Sequence, residues 1–339
     1  MVYEVTIGIP VFNVEKYIRE SLESALAQSF QSIEFLICDD CSTDSSIAIV
    51  REYQEKNARG KDIRIVSQPY NMGIGCARNR IVTEAKGRYL YFMDSDDILS
   101  INSIECLYMQ ATKFDAEMVF GSMEKVLLYD HGQHIKNADY AYNVFLHEDE
   151  FASWVYQKYD RIQASACNFL IKVDVYKQSG IQYMPISYWE DFMAMMDLPT
   201  YVTNVVMLPN VTYFYMCREG SLSNYQQRKI IQKEEILQTM KAVSMIKENS
   251  KRFLRKPYFS DRMLKVMMTC FYVCCTILRN RDVINPEFKR RELRDFMTYP
   301  VSWAVVCSFR HLPLYLLGKL PPFVSVCFMY IMGKTKHLV

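Results

Sequence analysis

The sequence predicts an α/β fold with a Rossmann-like, mostly parallel sheet, and three observations carry that expectation. Short β-branched or aromatic runs alternate with stretches of helical periodicity along the N-terminal part of the chain. Polar or acidic clusters follow these runs, as loops at the carboxyl ends of parallel strands do. Of the 339 residues 50% are hydrophobic, enough to bury a large core with an appendage.

Residues 5–10 form a β-branched run closed by Val11-Phe12-Asn13, a first strand and its turn. Over residues 14–28, Tyr17, Ile18, Leu22, Ala25 and Leu26 recur at helical spacing. Residues 33–38 read as a second strand, and Asp39-Asp40-Cys41-Ser42-Thr43-Asp44 as a polar turn capping a helix through Tyr53. Residues 63–67 give a third strand, 73–86 a helix, and 89–93 an aromatic fourth strand bounded by Gly87. Such alternation asks for right-handed crossovers between parallel strands. A helix over 101–112 and a strand over 117–128 extend the sheet, and 129–143 break the pattern as a loop or β-ribbon. A strand over 167–172, a helix opened by Glu190-Asp191 and an apolar strand over 205–216 complete this part.

The formal net charge of +2 hides a division of labour. Residues 1–225 carry 19 Lys and Arg against 30 Asp and Glu, whereas residues 226–339 carry 21 against 8. The split suggests two domains, 1–224 and 225–339, and nothing in the acidic first part suits nucleic acid. Eleven cysteines in mostly apolar contexts, without a signal peptide before the first strand, lead one to expect a reducing cytoplasm. Cys38 and Cys41 form a lone CxxC with no second pair at zinc spacing, too weak a signal for a metal or redox site.

The chemistry concentrates after the fourth strand. Asp94, Asp96 and Asp97 fall within four positions, and their mutual repulsion asks for a cation or a positively polarised ligand. Hard oxygen donors suit Mg²⁺ or Mn²⁺ shared with a nucleotide diphosphate; the alternative is an acidic turn capping the next helix. The same rim of loops would gather Asn13, Glu15, Asp39 and Asp40. Gly73-Ile74-Gly75-Cys76-Ala77-Arg78 reads G-x-G-x-x-R, lacks the third glycine of a dinucleotide fingerprint, and argues against a nicotinamide enzyme. Arg78, one helical turn on, is expected to pair with phosphate through its planar fork, the alternative being a surface salt bridge.

Four motifs in register resemble the family 2 glycosyltransferases: Ile9-Pro10-Val11-Phe12-Asn13, Asp39-Asp40-Cys41-Ser42-Thr43-Asp44-Ser45, Asn71-x-Gly73 with Ala77-Arg78-Asn79, and Phe92-Met93-Asp94-Ser95-Asp96-Asp97. The resemblance runs over residues 5–223. It implies a GT-A fold, a nucleotide-sugar donor and transfer with inversion. It implies that Pro10, Val11 and Phe12 line the base, that Asp39 or Asp40 hydrogen-bonds it, that Asn13, Glu15 and Ser95 belong to the donor site, and that Asp94 and Asp96 handle ribose and metal, with Asp97 able to share the metal. The adjacent acids Glu190 and Asp191 fall where the family places its catalytic base; without the upstream motifs they would read as ordinary partners of a helix dipole. Arg218 follows the last strand where a basic residue approaches the diphosphate, and no histidine lies nearby to act as a further metal ligand. Cys41 stands where the family usually has glycine, which asks for a turn without positive φ.

The expected activity is therefore metal-dependent, inverting transfer from a nucleotide diphosphate sugar, with uridine the expected base, to a saccharide or lipid-linked acceptor in surface polysaccharide synthesis. Asp191 is the expected base, oriented by Glu190. The alternatives are a non-catalytic membrane-bound scaffold that keeps the nucleotide pocket, and a nucleotidyltransferase, which would want a glycine-rich basic signature near the first strand. Beyond residue 224 helical periodicity over 230–246 and 263–278 precedes a basic run, 279–294, and a hydrophobic tail. Its longest apolar piece, 320–332, is shorter than the roughly 20 residues needed to span a bilayer. The tail is expected to lie on the anionic inner face of the cell membrane, the rival being a helical subdomain with a buried Met- and Cys-rich face.

Overall fold

The computed structural model describes residues 3–128, 132–158, 164–186, 189–218, 230–336 and 338. Two compact units emerge, residues 1–151 with 160–221, and residues 152–159 with 222–339. The expected boundary after residue 224 lies outside the described residues.

The first unit opens with strict alternation: β1 (Tyr3–Val11), α1 (Ile18–Leu26), β2 (Ile33–Asp39), α2 (Ser46–Lys56), β3 (Ile63–Ser67), α3 (Ile74–Glu84) and β4 (Gly87–Phe92). These strands pair in parallel in the order β3-β2-β1-β4. Both faces are covered, so Val5, Ile7, Ile9, Phe35 and Tyr91 on one face and Leu36, Cys38 and Leu90 on the other are wholly buried, and the runs read as continuous apolar stretches. The chain continues through β5 (Ile98–Leu99), α4 (Ser103–Lys113), β6 (Met118–Leu127), β7 (Gln133–Ala138), β8 (Asn143–Phe145), α5 (Glu150–Lys158), β9 (Phe169–Lys172), α6 (Val173–Ser179), α7 (Glu190–Asp197) and β10 (Val205–Cys217). Past β4 the sheet becomes mixed. β9 lies antiparallel between β4 and β6, and β10 runs parallel to β6 along the longest ladder. The stretch expected to be a loop or ribbon supplies β7, antiparallel to β6; residues 129–131 are outside the description.

A polar hub closes the junction of the parallel and mixed halves. Buried Asn168 takes φ 63 just before β9, and its Oδ1 accepts Thr212 Oγ1 at 2.5 Å and Tyr91 Oη at 3.2 Å. Its Nδ2 donates to the Gly121 carbonyl at 2.6 Å. One side chain thus ties β4, β6 and β10 at the level from which the acidic loop departs, and its hydrogen-bonding capacity is satisfied.

The turn after β2 corrects one expectation. Cys41 does take a positive φ, 65°, although it is not glycine. The strain is held by hydrogen bonds on both sides: Ser42 N donates to Asp39 Oδ1 at 2.8 Å, and Thr43 N to Asn13 Oδ1 at 2.8 Å.

In the second unit α8 (Lys233–Asn249) and α9 (Phe259–Arg279) form the frame, with a short parallel pair, β11 (Ile231–Gln232) and β12 (Ile284–Asn285), and α10 (Arg290–Phe296). The Met- and Cys-rich face of α9, Met263, Met267, Cys270 and Cys274, is completely buried. Arg262, equally buried, donates to Ser250 Oγ at 3.0 Å and to Tyr156 Oη. The tail folds as α11 (Trp303–Val306), α12 (Leu312–Leu317) and α13 (Pro322–Thr335). No helix among the described residues is long and apolar enough to cross a membrane. All eleven cysteines are free thiols.

Candidate active site

The parallel strands deliver their loops to one rim, and side chains lock those loops to one another. Asn13 and Glu15, after β1, reach the loop after β2: Asn13 Oδ1 accepts Thr43 N, and Glu15 Oε2 accepts Ser45 N at 2.9 Å. Asp40 is buried and accepts Met72 N and Gly73 N, each at 2.8 Å, so it holds the loop before α3. Gly73 sits at φ 87, open to glycine without strain. Asp40 is thereby occupied, while the carboxylate of Asp39, partly exposed, accepts Ser42 N. Of the three residues expected to line a base, Pro10 and Val11 are buried in β1 and Phe12 is 42% exposed.

The acidic loop after β4 is sorted by its environment. Tyr213, from β10, donates its hydroxyl to Asp97 Oδ2 at 2.7 Å and accepts the Asp94 backbone N–H at 3.1 Å. Met216 N donates to Asp97 Oδ1 at 2.8 Å. Burial, then the charges of Asp94 and Asp96, raise the Asp97 carboxyl well above the usual range. Both Asp97 oxygens are engaged, so this residue supports the loop, where the sequence allowed it a share of a metal. Asp96 stays partly exposed and accepts Arg218 Nη1 at 2.8 Å, with Nη2 on its own carbonyl. Its carboxyl is also raised, by burial and then by Asp94, against the pull of Arg218. Arg218 lies 3.5 Å over the Tyr17 ring, and its buried Nε has no hydrogen-bond partner among the described residues. Ser95, within this loop, is buried.

Arg78 corrects a second expectation. Its fork is not offered to a ligand: the side chain is 3% exposed, Nη2 donates to Asp94 Oδ1 at 3.0 Å and Nη1 to Glu190 Oε1 at 2.5 Å. Burial works against its charge, and the surrounding carboxylates of Asp94, Glu190 and Asp191 outweigh it, so the guanidinium is held firmly protonated. α3 carries Arg78 to this point because Gly75 allows close approach. A Cβ at Gly75 would lie 2.2 Å from the Met184 carbonyl oxygen and 3.5 Å from Glu190 Cβ.

Glu190 and Asp191 open α7 behind Trp189, whose φ of 64° turns the chain into the helix. Residues 187–188, part of the expected motif, lie outside the described residues. Glu190 is buried on Arg78, and Asp191 is partly buried beside it. Burial, then the charge of Glu190, pushes the Asp191 carboxyl up to about 7, against the pull of Arg78. A carboxyl in that range exchanges a proton near neutral pH.

No group of three or more His, Cys, Asp or Glu suited to hold a metal by themselves occurs among the described residues. A hard divalent cation does not require one, since Mg²⁺ takes one or two carboxylates and completes its shell with water and substrate phosphate oxygens. Asp94 and Asp96, two residues apart with Asp94 raising Asp96, fit a site of that kind. Nothing in the sequence signalled Tyr213 or Tyr17, because an aromatic in an apolar strand or exposed turn carries no mark of the group it will meet.

The family description Glycosyl transferase family 2 matches residues 6–180. The chain is 36% identical over 118 residues to Glycosyltransferase GlyG of Streptococcus pneumoniae, covering 35% of this chain and 38% of that one. It is 28% identical over 232 residues to Glycosyltransferase GlyA of the same species, covering 67% of this chain and 32% of that one. The chain thus spans about a third of the length of these relatives. It is 27% identical over 240 residues to the Escherichia coli UDP-Glc:alpha-D-GlcNAc-diphosphoundecaprenol beta-1,3-glucosyltransferase WfaP, 70% of this chain and 86% of that one. In fold it resembles the crystal structure of S. aureus TarS 1-349 in complex with UDP, at TM-score 0.61 and 16% identity over 98% of this chain and 92% of that one. The UDP-GlcNAc complex of the same protein gives 0.56 at 18% identity over 96% and 81%. These solved structures set the mixed α/β architecture among GT-A folds, and a family match over half the chain adds the lineage: the protein belongs to glycosyl transferase family 2.

Proposed function

We propose that this protein is an inverting glycosyltransferase that moves a sugar from a uridine diphosphate sugar to a hydroxyl of a saccharide or lipid-linked saccharide in surface polysaccharide synthesis. The observation that carries the reading is the division of carboxylates around Arg78. Asp94, two residues before Asp96, pairs with one terminal nitrogen of the buried guanidinium; Glu190, next to Asp191, pairs with the other. Phe12 and Asp39 take the base, Asn13 and Glu15 hold the loops that frame it, and Asp94 with the Ser95 turn meets the ribose. Arg218, with an unpartnered Nε among the described residues, receives the diphosphate.

In the reaction Asp191 accepts the proton of the acceptor hydroxyl as its oxygen bonds the anomeric carbon. The bond from that carbon to the diphosphate breaks, its electron pair leaves with the nucleotide, and the carbon inverts. Mg²⁺ or Mn²⁺ at Asp96 and the diphosphate would supply charge neutralisation of the leaving group. Arg218 shares that charge, and Arg78 keeps the first turn of α7 in register with the acidic loop through its two ion pairs. The names of WfaP and of the TarS complexes, which print UDP-glucose, a diphosphoundecaprenol acceptor, UDP-GlcNAc and UDP, support the donor and acceptor classes. The basic second unit, in this reading, works at an anionic membrane surface on the cytoplasmic side.

The test is a screen of uridine, guanosine and thymidine diphosphate sugars for release of free nucleotide, with Mn²⁺, with Mg²⁺ and with chelator. Metal-dependent release from a uridine diphosphate sugar is the expected result; no release from any donor in the presence of mixed saccharide acceptors would overturn it.

A further inference from the structure

One helix of the second unit has an apolar exterior that its own fold leaves uncovered. α13 buries a single narrow stripe, Ser325, Met329 and Gly333, spaced four apart. Its other side chains from Phe323 to Met332 are uncharged, and Phe323, Phe328 and Ile331 are 60%, 49% and 58% exposed. A helix apolar all round belongs in an apolar environment on every side, and here one side lacks it.

That side is one wall of a cleft of about 650 Å³. Phe323, Val326, Cys327, Tyr330 and Ile331, at helical spacing, face Ile277 and Leu278 of α9 and Leu293 of α10. Eight residues of rise make this wall roughly 12 Å long. The volume lies within the range of small-molecule sites, and the lining is mainly apolar and aromatic with a few charges. Cations mark its ends: Arg290 lies 5.1 Å over the Phe323 ring and Lys334 4.8 Å over the Tyr330 ring. Asp282 at the mouth is paired with Arg281 at 3.5 Å, and Glu287 is the other acid of the lining. From Phe296 to Val339 the sequence has no Asp or Glu, while Arg310, Lys319, Lys334 and Lys336 punctuate it.

We infer that this cleft takes a hydrocarbon chain of an anionic phospholipid of the bilayer, with the lipid phosphate held by Arg290 at the Phe323 end and the exposed face of α13 laid in the interface. The inference deepens the membrane part of the proposed function and rests on it. At 14 residues α13 is about 21 Å long, too short to cross a hydrocarbon core of roughly 30 Å, but suited to lie along it. The carboxylate-free sequence around it matches an anionic surface, which a neutral or basic protein partner would not provide.

The test uses the full chain, vesicles of pure phosphatidylcholine, and vesicles of equal parts phosphatidylcholine and phosphatidylglycerol. Sedimentation should show at least roughly tenfold stronger binding to the anionic vesicles, weakened by salt. Ile331→Asp, at an exposed position, should remove most of that binding without changing the thermal transition. Cys327→Trp, which fills the cleft but keeps every cation, should abolish the one-to-one phosphatidylglycerol adduct seen by native mass spectrometry of the wild type. Equal binding to both vesicles, or an adduct unaffected by Cys327→Trp, would overturn the inference. So would preferential displacement of phosphatidylglycerol by a polyprenyl phosphate, or self-association abolished by Ile331→Asp without vesicle binding. Nucleotide release in solution is read separately: its failure with intact lipid binding would sink the glycosyltransferase reading alone.

Discussion

Arg78 Nη1 meets Glu190 Oε1 at 2.5 Å although 112 positions separate them in the chain. The same guanidinium holds Asp94 at 3.0 Å, so α3 joins the acidic loop after β4 to the first turn of α7. Arg78→Met leaves the buried Glu190 and the partly exposed Asp94 without their cation. Loss of one partner of such a network costs about 3–5 kcal/mol, and a fall in the chemical denaturation midpoint of the full chain is the expected reading. An unchanged midpoint would show that the carboxylates find other partners.

Asp191→Asn should keep donor affinity in calorimetry while lowering turnover by roughly 10²- to 10⁴-fold. The base must be unprotonated, so turnover of the wild type should rise with pH through about 7 and level off above it. Glu190→Gln removes the neighbouring charge that raises Asp191, and should move that rise to lower pH. Because the folded protein holds the Asp191 proton more tightly than an unfolded chain with the ordinary value of 3.8, Asp191 lowers stability progressively as pH climbs from there to about 7. Asp191→Asn should therefore flatten that part of the stability profile, which denaturation at several pH values would show. A mutant that loses donor binding returns the pair to helix-capping acids.

Asp96→Asn should abolish metal-dependent turnover, and undiminished activity at saturating donor would remove Asp96 from the metal site. Arg218→Ala should weaken donor binding by roughly ten- to a hundredfold, as loss of a charge-assisted contact of about 1.5–3 kcal/mol does. Calorimetry with the uridine diphosphate product checks it.

Gly75→Ala places a methyl 2.2 Å from the Met184 carbonyl oxygen, so α3 must move from the segment that leads to Glu190. The expected outcome is a loss of turnover larger than the loss of donor affinity, and kinetics with equal effects on both would count against it.

Cys41→Gly should stabilise the protein by up to about 1 kcal/mol. An L-residue in the left-handed region costs roughly 1–2 kcal/mol, and the entropy of glycine in the unfolded chain offsets part of the gain. Denaturant titration of the two proteins decides it.

Strands β1, β2 and β4 were legible in the sequence because each is a continuous apolar run buried on both faces, and the partly exposed edge strand β3 because its β-branched residues stand between two helical stretches. The acidic cluster and the Glu190-Asp191 pair were legible for the same local reason, as like charges placed side by side. Their separate environments were not. Asp97 is enclosed by Tyr213 and Met216, more than a hundred positions further on, while Asp96 stays open to Arg218. Arg78 had the composition of a phosphate ligand and became the partner of two carboxylates, and Cys41 entered the left-handed region because Asp39 and Asn13 hold its neighbours. Periodicity and charge are local properties that the sequence by itself determined; burial and the pairing of charges depend on which distant segments the sheet brings together, and only the tertiary structure decided them.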